Sequence, residues 1–321
     1  MAAEKADVLL ICPPKPVIVN GLSGAFNLVK FPDGKDRDKF FAESAPRVRA
    51  MAVAATEERV DGPFMTRFPR LEIISSFGVG YDHVDAAWAG AHGITVTNTP
   101  DVLTEEVADT AIGLLLCTVR EFPQAERYLR AGKWLQKNYP LSKATLRDRT
   151  VGMVDARRLA AMQVPVVYHS RRPAAGVPYR HYPKLIGMAR DVDVLMVITP
   201  GGAETKNLIN AEVLAALGPD GILINMSRGS VVDEPALIKA LQQKTILSVG
   251  LDVFAREPEV PAELIAMDHV VLLPHLGSAS VATRERMDQV VVDNLLAWAA
   301  GKPPLTPVPE TPWPPKQRKG A

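Results

Sequence analysis

Three residues in the second half of the chain have types suited to carbonyl chemistry: Arg228, Glu257 and His275. They lie in the stretches INMSRGS, VFAREPEV and LLPHLGS, each at or just past the end of a short apolar run. A guanidinium holds a carboxylate or an α-keto oxygen through two parallel N–H donors. An imidazole beside a carboxylate stays protonated near neutral pH and gives its proton to a carbonyl that accepts hydride. Taken singly, the same residues have plainer readings. His275 alone reads more readily as a satisfied surface or core histidine, Arg228 more readily still as half of a surface ion pair, and Glu257 before Pro258 as a loop charge. Ser170-Arg171-Arg172, Thr199, Ser227 and Asp252 end other apolar runs in the same way. Ligands of a doubly wound sheet sit beyond the carboxyl ends of its strands, so polar groups recurring there point to a shared cleft.

The elements that must carry these groups read as strands alternating with helices. Val192–Thr199, Gly221–Met226, Ile246–Val253 and Val270–Leu273 predict strands, with helices over Asn210–Leu217 and Glu234–Gln243. In the first half, Val8–Ile11, Val48–Ala54, Ile73–Ser76 and Ile94–Thr97 predict strands ending in Pro, Gly or Asn. That alternation is the pattern of an α/β layer built on a parallel sheet. Asp101–Val119 has apolar residues near helical spacing and acids early, where the helix dipole prefers them. Between strand and helix, FGVGYDHVD (77–85) is a glycine-bearing turn. Its two close glycines let backbone N–H groups face a small anion; an ordinary tight turn is the alternative. Pro173–Pro183 is expected as loop, Trp134–Arg149 as an exposed approach, and Ala282–Ala300 as a long helix. The tail from Gly301 has seven prolines by Pro315 and is expected to be extended or disordered.

Thr150 to Arg172 reads as a dinucleotide-binding βαβ unit, with strands over Thr150–Val154 and Val164–His169. Such a unit calls for a Gly-x-Gly-x-x-Gly turn opening a helix. The glycines admit a pyrophosphate to the backbone, and the helix N-terminus supplies unpaired N–H groups. That turn is absent. Val154 runs into Asp155-Ala156-Arg157-Arg158, with no glycine between Gly152 and Gly176. From Asp155 to Val164 ten residues remain, at the floor of about 10–12 for a crossover that includes its helix. A strained or rearranged crossover is expected there, with Arg157 or Arg158 as the available electrostatic contacts for a phosphate.

Composition bounds the rest. At 321 residues two domains are the better expectation, and 47% hydrophobic with 23% charged residues is ordinary for a globular protein. A net charge of +1 gives no electrostatic case for nucleic acid or an anionic membrane. Cys12 and Cys117 are far apart and in apolar contexts, which suits reduced thiols in a cytoplasmic protein. Glu4 and Asp7 precede the first apolar run, which reads as a strand rather than a signal peptide. No apolar run is long enough to span a membrane.

FGVGYDHVD (77–85), TEEVADTAIGLLL (104–116), INMSRGSVVDEPAL (224–237), GLDVFAREPEVP (250–261) and LLPHLGSAS (272–280) resemble stretches of the D-isomer-specific 2-hydroxyacid dehydrogenases. The glyoxylate/hydroxypyruvate reductases are the members most similar, over about Ala50 to Glu310. The resemblance implies an α/β fold of two Rossmann-like, doubly wound parallel-sheet domains with an interdomain cleft. A discontinuous, flavodoxin-like substrate domain would span 1–100 and 294–321, and a dinucleotide-binding Rossmann domain 101–293. Arg228 would bind the substrate carboxylate and carbonyl, His275 would be the acid/base, and Glu257 would hydrogen-bond it and raise its pKa. The Val79-Gly80 backbone would hold the carboxylate. Thr104, Pro200, Thr205, Met226, Asp252 and Gly277 would line the cofactor, with Thr199, Ser227 and His275 beside them.

The reaction so implied is reduction of a small 2-oxo acid to the D-2-hydroxy acid by hydride from a nicotinamide. Ser170-Arg171-Arg172 stands where an NAD-preferring enzyme has an acid for the ribose 2′-hydroxyl, which suits NADP(H), with NAD(H) possible; two solvent-exposed arginines are the alternative. A homodimer is also implied. The departure is the family's Gly-Leu-Gly-x-Ile-Gly between positions equivalent to Val154 and Ala156, a gap of roughly six to nine residues by the fingerprint's length. Two readings stay open: a reductase whose loop the sequence omits, and a non-catalytic 2-oxo-acid-binding paralogue with impaired dinucleotide binding.

Overall fold

The computed structural model describes residues 5–13, 15–32, 34–54, 58–152 and 157–315. It forms two compact units, Met1–Thr104 with Ser280–Ala321, and Glu105–Ala279. A boundary at 294 would cut the helix Val281–Ala299; the division falls just before it instead. That helix belongs whole to the first unit because it buries Met287, Val291, Leu295 and Trp298 there, in contact with the strand Ile73–Phe77.

The first unit is a five-stranded sheet in the order β2-β1-β3-β4-β5, formed by Asp7–Ile11 (β1), Asn27–Lys30 (β2), Val48–Ala54 (β3), Ile73–Phe77 (β4) and Thr95–Thr97 (β5). All its pairs are parallel. The inner strands are covered on both faces, so Val8-Leu9-Leu10-Ile11 and Met51-Ala52-Val53 read as continuous apolar runs without alternation. The edge strand β2 is half exposed, which is why its sequence gives no such signal.

As far as Pro315 the tail corrects the expectation of disorder and shows a packed, partly extended segment; its last six residues lie outside the described ones. Pro307 bridges Thr97 in antiparallel sense, Val308 N–H donates to Val96 O at 2.9 Å, and Thr311 Oγ1 accepts from Val96 N–H at 2.8 Å. Val308 and Thr311 are buried. Proline suits this edge because it lacks the N–H that a central strand needs. Tyr81 Oη donates to Glu310 Oε2 at 3.0 Å, and burial together with that carboxylate pushes the phenol up to about 12.

The second unit is a seven-stranded sheet in the order β12-β11-β10-β9-β6-β7-β8. Its strands are Val151–Gly152 (β6), Val166–His169 (β7), Arg180–Tyr182 (β8), Val194–Val197 (β9), Ile222–Asn225 (β10), Ser248–Leu251 (β11) and Val271–Leu272 (β12). Every pair is parallel. The β8 strand corrects the expectation of loop throughout Pro173–Pro183. Its residues are too few and too polar to show as a strand, and pairing with β7 makes them one. Chain order reverses between β6 and β9, so the carboxyl end of β6 is the switch point where doubly wound sheets bind ligands.

The short crossover closes in the regular sense: β6 and β7 pair in parallel, Val151 opposite Val166. Among the described residues its helix spans Arg157–Ala161. The turn back is a Schellman arrangement, with Gln163 at φ +59°, its N–H on Ala160 O and the Val164 N–H on Leu159 O. The glycine-free join itself, Met153–Ala156, lies outside the described residues. Arg157 and Arg158, the expected phosphate contacts, are engaged. Arg157 pairs with Glu105, and Arg158 with Glu105 and Asp109, at 2.8 Å each.

Candidate active site

Arg228 follows β10 in a turn held by Asn225. The Asn225 amide accepts from both the N–H and the hydroxyl of Ser227 (3.0 and 2.9 Å) and donates to Arg228 O at 3.1 Å. Gly229 then passes so close to the next loop that an added Cβ would lie 1.9 Å from the carbonyl carbon of Phe254. Glycine is therefore what lets the Arg228 turn rest on the loop carrying Glu257.

His275 follows β12 with φ +55°, a left-handed conformation that non-glycine residues rarely hold without support. Support comes from Asp252 at the end of β11. Its carbonyl accepts the His275 N–H at 2.9 Å, and its two carboxylate oxygens accept the N–H groups of Leu276 (2.6 Å) and Gly277 (2.9 Å). Burial raises the Asp252 carboxyl above its ordinary range, and those two N–H groups and the His275 charge only partly oppose it.

His275 Nδ1 lies 2.7 Å from Glu257 Oε2, while Glu257 Oε1 accepts the Phe254 N–H at 3.0 Å. Burial alone would raise the Glu257 carboxyl. The His275 hydrogen bond, the Phe254 N–H and the charges of His275 and Arg228 outweigh it, so the carboxyl is held below its ordinary value. The side chains remain partly open, His275 at 46% and Glu257 at 33%. A fixed carboxylate on Nδ1 sets the ring's orientation and leaves Nε2 as the nitrogen that can exchange a proton with a ligand.

In the first unit, Val79 and Gly80 follow β4. Gly78 adopts φ +138°, a conformation for glycine. Val79 is 44% exposed, and among the described residues neither its N–H nor that of Gly80 has an acceptor. Two free donors on an exposed turn can receive an anion.

The expected cofactor residues divide into two groups. Ser170, Arg171 and Arg172 sit beyond β7; Arg171 pairs with Glu204 at 2.7 Å, and among the described residues Arg172 has no ion pair. Thr205 Oγ1 donates to Pro200 O at 2.8 Å and closes the turn after Thr199, while Thr104 is exposed at a helix start. Met226, Ser227, Asp252 and Gly277 are buried, and the hydroxyl of Ser227 and the carboxylate of Asp252 turn inward to build the Arg228 and His275 turns. Asn225 was missed; its one signal is an amide ending the apolar run Ile222-Leu223-Ile224. A nicotinamide dinucleotide fits this donor set: a free guanidinium beyond β7, polar turns beyond β9 and β10, and the switch point between them.

A cavity of about 850 Å³ lies elsewhere, at the amino ends of β10 and β11, lined by Tyr128, Tyr139, Lys244, Ser248 and His269 among others. Ligand chemistry in such sheets belongs to the carboxyl ends, so the trio marks the site better than the volume does. Among the described residues no group of His, Cys, Asp or Glu is placed to hold a metal, and no helix is long and apolar enough to cross a membrane.

The family description "D-isomer specific 2-hydroxyacid dehydrogenase, NAD binding domain" matches residues 112–277. A glyoxylate/hydroxypyruvate reductase A of Arabidopsis thaliana is 40% identical over 95% of this chain and 99% of its own. A hydroxyphenylpyruvate reductase of Plectranthus scutellarioides is equally similar, at 40% over 95% and 99%. Among solved structures, an NADPH-dependent glyoxylate/hydroxypyruvate reductase of Sinorhizobium meliloti, in complex with NADP and malonate, superposes with a TM-score of 0.90. It is 47% identical, covering 99% of this chain and 100% of that one. With the fold, the strand-end trio and these likenesses agreeing, the chain belongs to the D-isomer-specific 2-hydroxyacid dehydrogenase family.

Proposed function

We propose that the protein reduces a small 2-oxo acid of the glyoxylate or hydroxypyruvate type to the D-2-hydroxy acid, using NADPH in preference to NADH. The observation that carries this reading is the 2.7 Å His275–Glu257 pair beside the Arg228 turn. Arg228 holds the carboxylate and the keto oxygen, and its charge polarises the carbonyl. In the first unit, the N–H groups of Val79 and Gly80 are the donors suited to a carboxylate. When bound, NADPH supplies the hydride that reaches the keto carbon. His275 gives its proton to the keto oxygen, which becomes the hydroxyl, and Glu257 keeps the imidazole oriented through its hydrogen bond to Nδ1. Arg172 and Arg171, with Ser170, face the 2′-phosphate. Thr199, Pro200, Thr205 and Thr104 border the rest of the dinucleotide, while Met226, Ser227, Asp252 and Gly277 form the floor beneath it.

The test is NADPH oxidation with glyoxylate and hydroxypyruvate by the wild type and by His275→Ala. The reading requires turnover in the first and its near-complete loss in the second. Full activity in His275→Ala refutes the assignment of the acid.

One observation favours a second reading, a non-catalytic 2-oxo-acid-binding protein: no glycine stands between Gly152 and Gly176, where the fingerprint of a pyrophosphate seat belongs. Intact mass discriminates. A chain heavier than 34.8 kDa by a short glycine-bearing segment restores the seat, and a matching mass favours binding without hydride transfer.

We further infer a homodimer formed through the second unit. Phe122, Leu129, Trp134, Leu135 and Leu141 are exposed on one continuous segment, Leu135 at 93% and Leu141 at 94%. So much exposed apolar surface marks an interaction face. A monomer at micromolar concentration in sedimentation equilibrium contradicts this. The free, half-buried thiols of Cys12 and Cys117 support a cytoplasmic setting.

A further inference from the structure

We propose that Asn98 is a positioning residue for the substrate carboxylate, and that the C-terminal segment holds it in place through Thr306. The inference rests on the reading of Val79-Gly80 as the carboxylate site and says what makes that turn a site.

Asn98 Nδ2 donates to Val79 O at 2.8 Å. Across a trans peptide the C=O and the following N–H point in opposite directions. Fixing the Val79 carbonyl on Asn98 therefore aims the Gly80 N–H the other way, as a donor. The fixation matters because glycine stands on both sides of Val79, and a glycine-flanked peptide plane rotates with little steric resistance. Rotated by half a turn, the same peptide would present its carbonyl oxygen and repel a carboxylate. The preceding peptide is gripped as well: Gly78 N–H donates to Thr99 Oγ1 at 3.0 Å, and Thr99 N–H donates to Gly78 O at 2.9 Å.

Asn98 is itself fixed from the C-terminal side. Its carbonyl accepts the Thr306 hydroxyl at 2.6 Å, and its N–H donates to Thr306 O at 3.3 Å. The Thr306 hydroxyl in turn accepts from Asn294 Nδ2 at 2.9 Å. Asn294 is fully buried and uses all four of its amide positions: Nδ2 also donates to Val290 O, and Oδ1 accepts the N–H groups of Leu305 and Thr306. A continuous path of hydrogen bonds thus runs from the last helix through Thr306 and Asn98 to the Val79-Gly80 peptide. It gives the proline-rich tail a role in substrate binding.

Calorimetric titration with oxamate, an unreactive 2-oxo-acid analogue, in the presence of NADPH, tests this on the full chain. Asn98→Ala and Thr306→Val should weaken oxamate binding about fivefold, the equivalent of about 1 kcal/mol for one lost hydrogen bond. Thr306→Ser, which keeps the hydroxyl, should restore wild-type affinity, and NADPH affinity should stay unchanged in all three. Thermal melts identify a variant that has merely unfolded, and Asn98→Ala, on a partly exposed side chain, keeps the test open if Thr306→Val does. Unchanged oxamate affinity in a folded Asn98→Ala overturns the positioning role. A wild type that binds oxamate no better than its ethyl ester overturns instead the reading of a carboxylate site.

Discussion

Asp252 builds the turn that presents His275: its carbonyl takes the His275 N–H at 2.9 Å, and its carboxylate takes the next two N–H groups. The histidine's left-handed backbone therefore depends on a buried carboxylate one strand away. Asp252→Ala leaves those two donors without acceptors and should lower kcat about tenfold or more, by misplacing the acid. Far-UV circular dichroism of the same variant checks that the sheet persists. Wild-type kcat in Asp252→Ala would show that the turn holds itself.

The Glu257 carboxyl is held below its ordinary value, which fixes the sign of a pH effect. A carboxyl depressed in the folded state stabilises the fold above its unfolded pKa, and the gain is lost as pH falls through the lower folded value. The stability difference between wild type and Glu257→Gln should be present at the ordinary carboxylate range near about 4.3 and shrink as acidification carries the pH below it. Urea unfolding across that interval measures it, and a difference that grows on acidification would reverse the sign.

Arg171 and Arg172 should not contribute equally to coenzyme preference. Arg171 is paired with Glu204, although both side chains are largely exposed and the pair is weak. Arg172→Ala should lower the NADPH-over-NADH ratio in kcat/KM about tenfold, in keeping with one lost charge-assisted contact. Glu204→Ala should raise it by freeing Arg171. An unchanged ratio in the double variant Arg171→Ala, Arg172→Ala would dismiss the 2′-phosphate site.

Gly229 should tolerate no side chain. A Cβ there would overlap the Phe254 carbonyl, a backbone group that cannot step aside as a side chain would. Gly229→Ala should cost about 3 kcal/mol of stability, with loss of Arg228 function even where the protein stays folded. A melt within a degree of wild type would mean that the two loops separate freely.

The alternating sheet architecture and the strand-end groups were legible because buried parallel strands write themselves as apolar runs, and Arg228, Glu257 and His275 each end such a run or lie in the loop after one. Asn225 and Asp252 were not legible as builders of turns, since a strand-end polar residue looks the same whether it faces a ligand or its own backbone. The tail was misread for a different reason. Its prolines suggest disorder, but the decisive contacts are the side chains of Thr306 and Thr311 and the N–H of Val308, which composition does not weigh. The short strands β2 and β8 owe their form to pairing rather than to their own sequence.

The most direct test of the central claim is glyoxylate-dependent oxidation of NADPH by the purified full chain, with its intact mass recorded on the same sample. Turnover that disappears in His275→Ala is the result the trio predicts. A chain of 34.8 kDa that binds oxamate yet oxidises no NADPH would contradict it and establish the binding protein in place of the reductase.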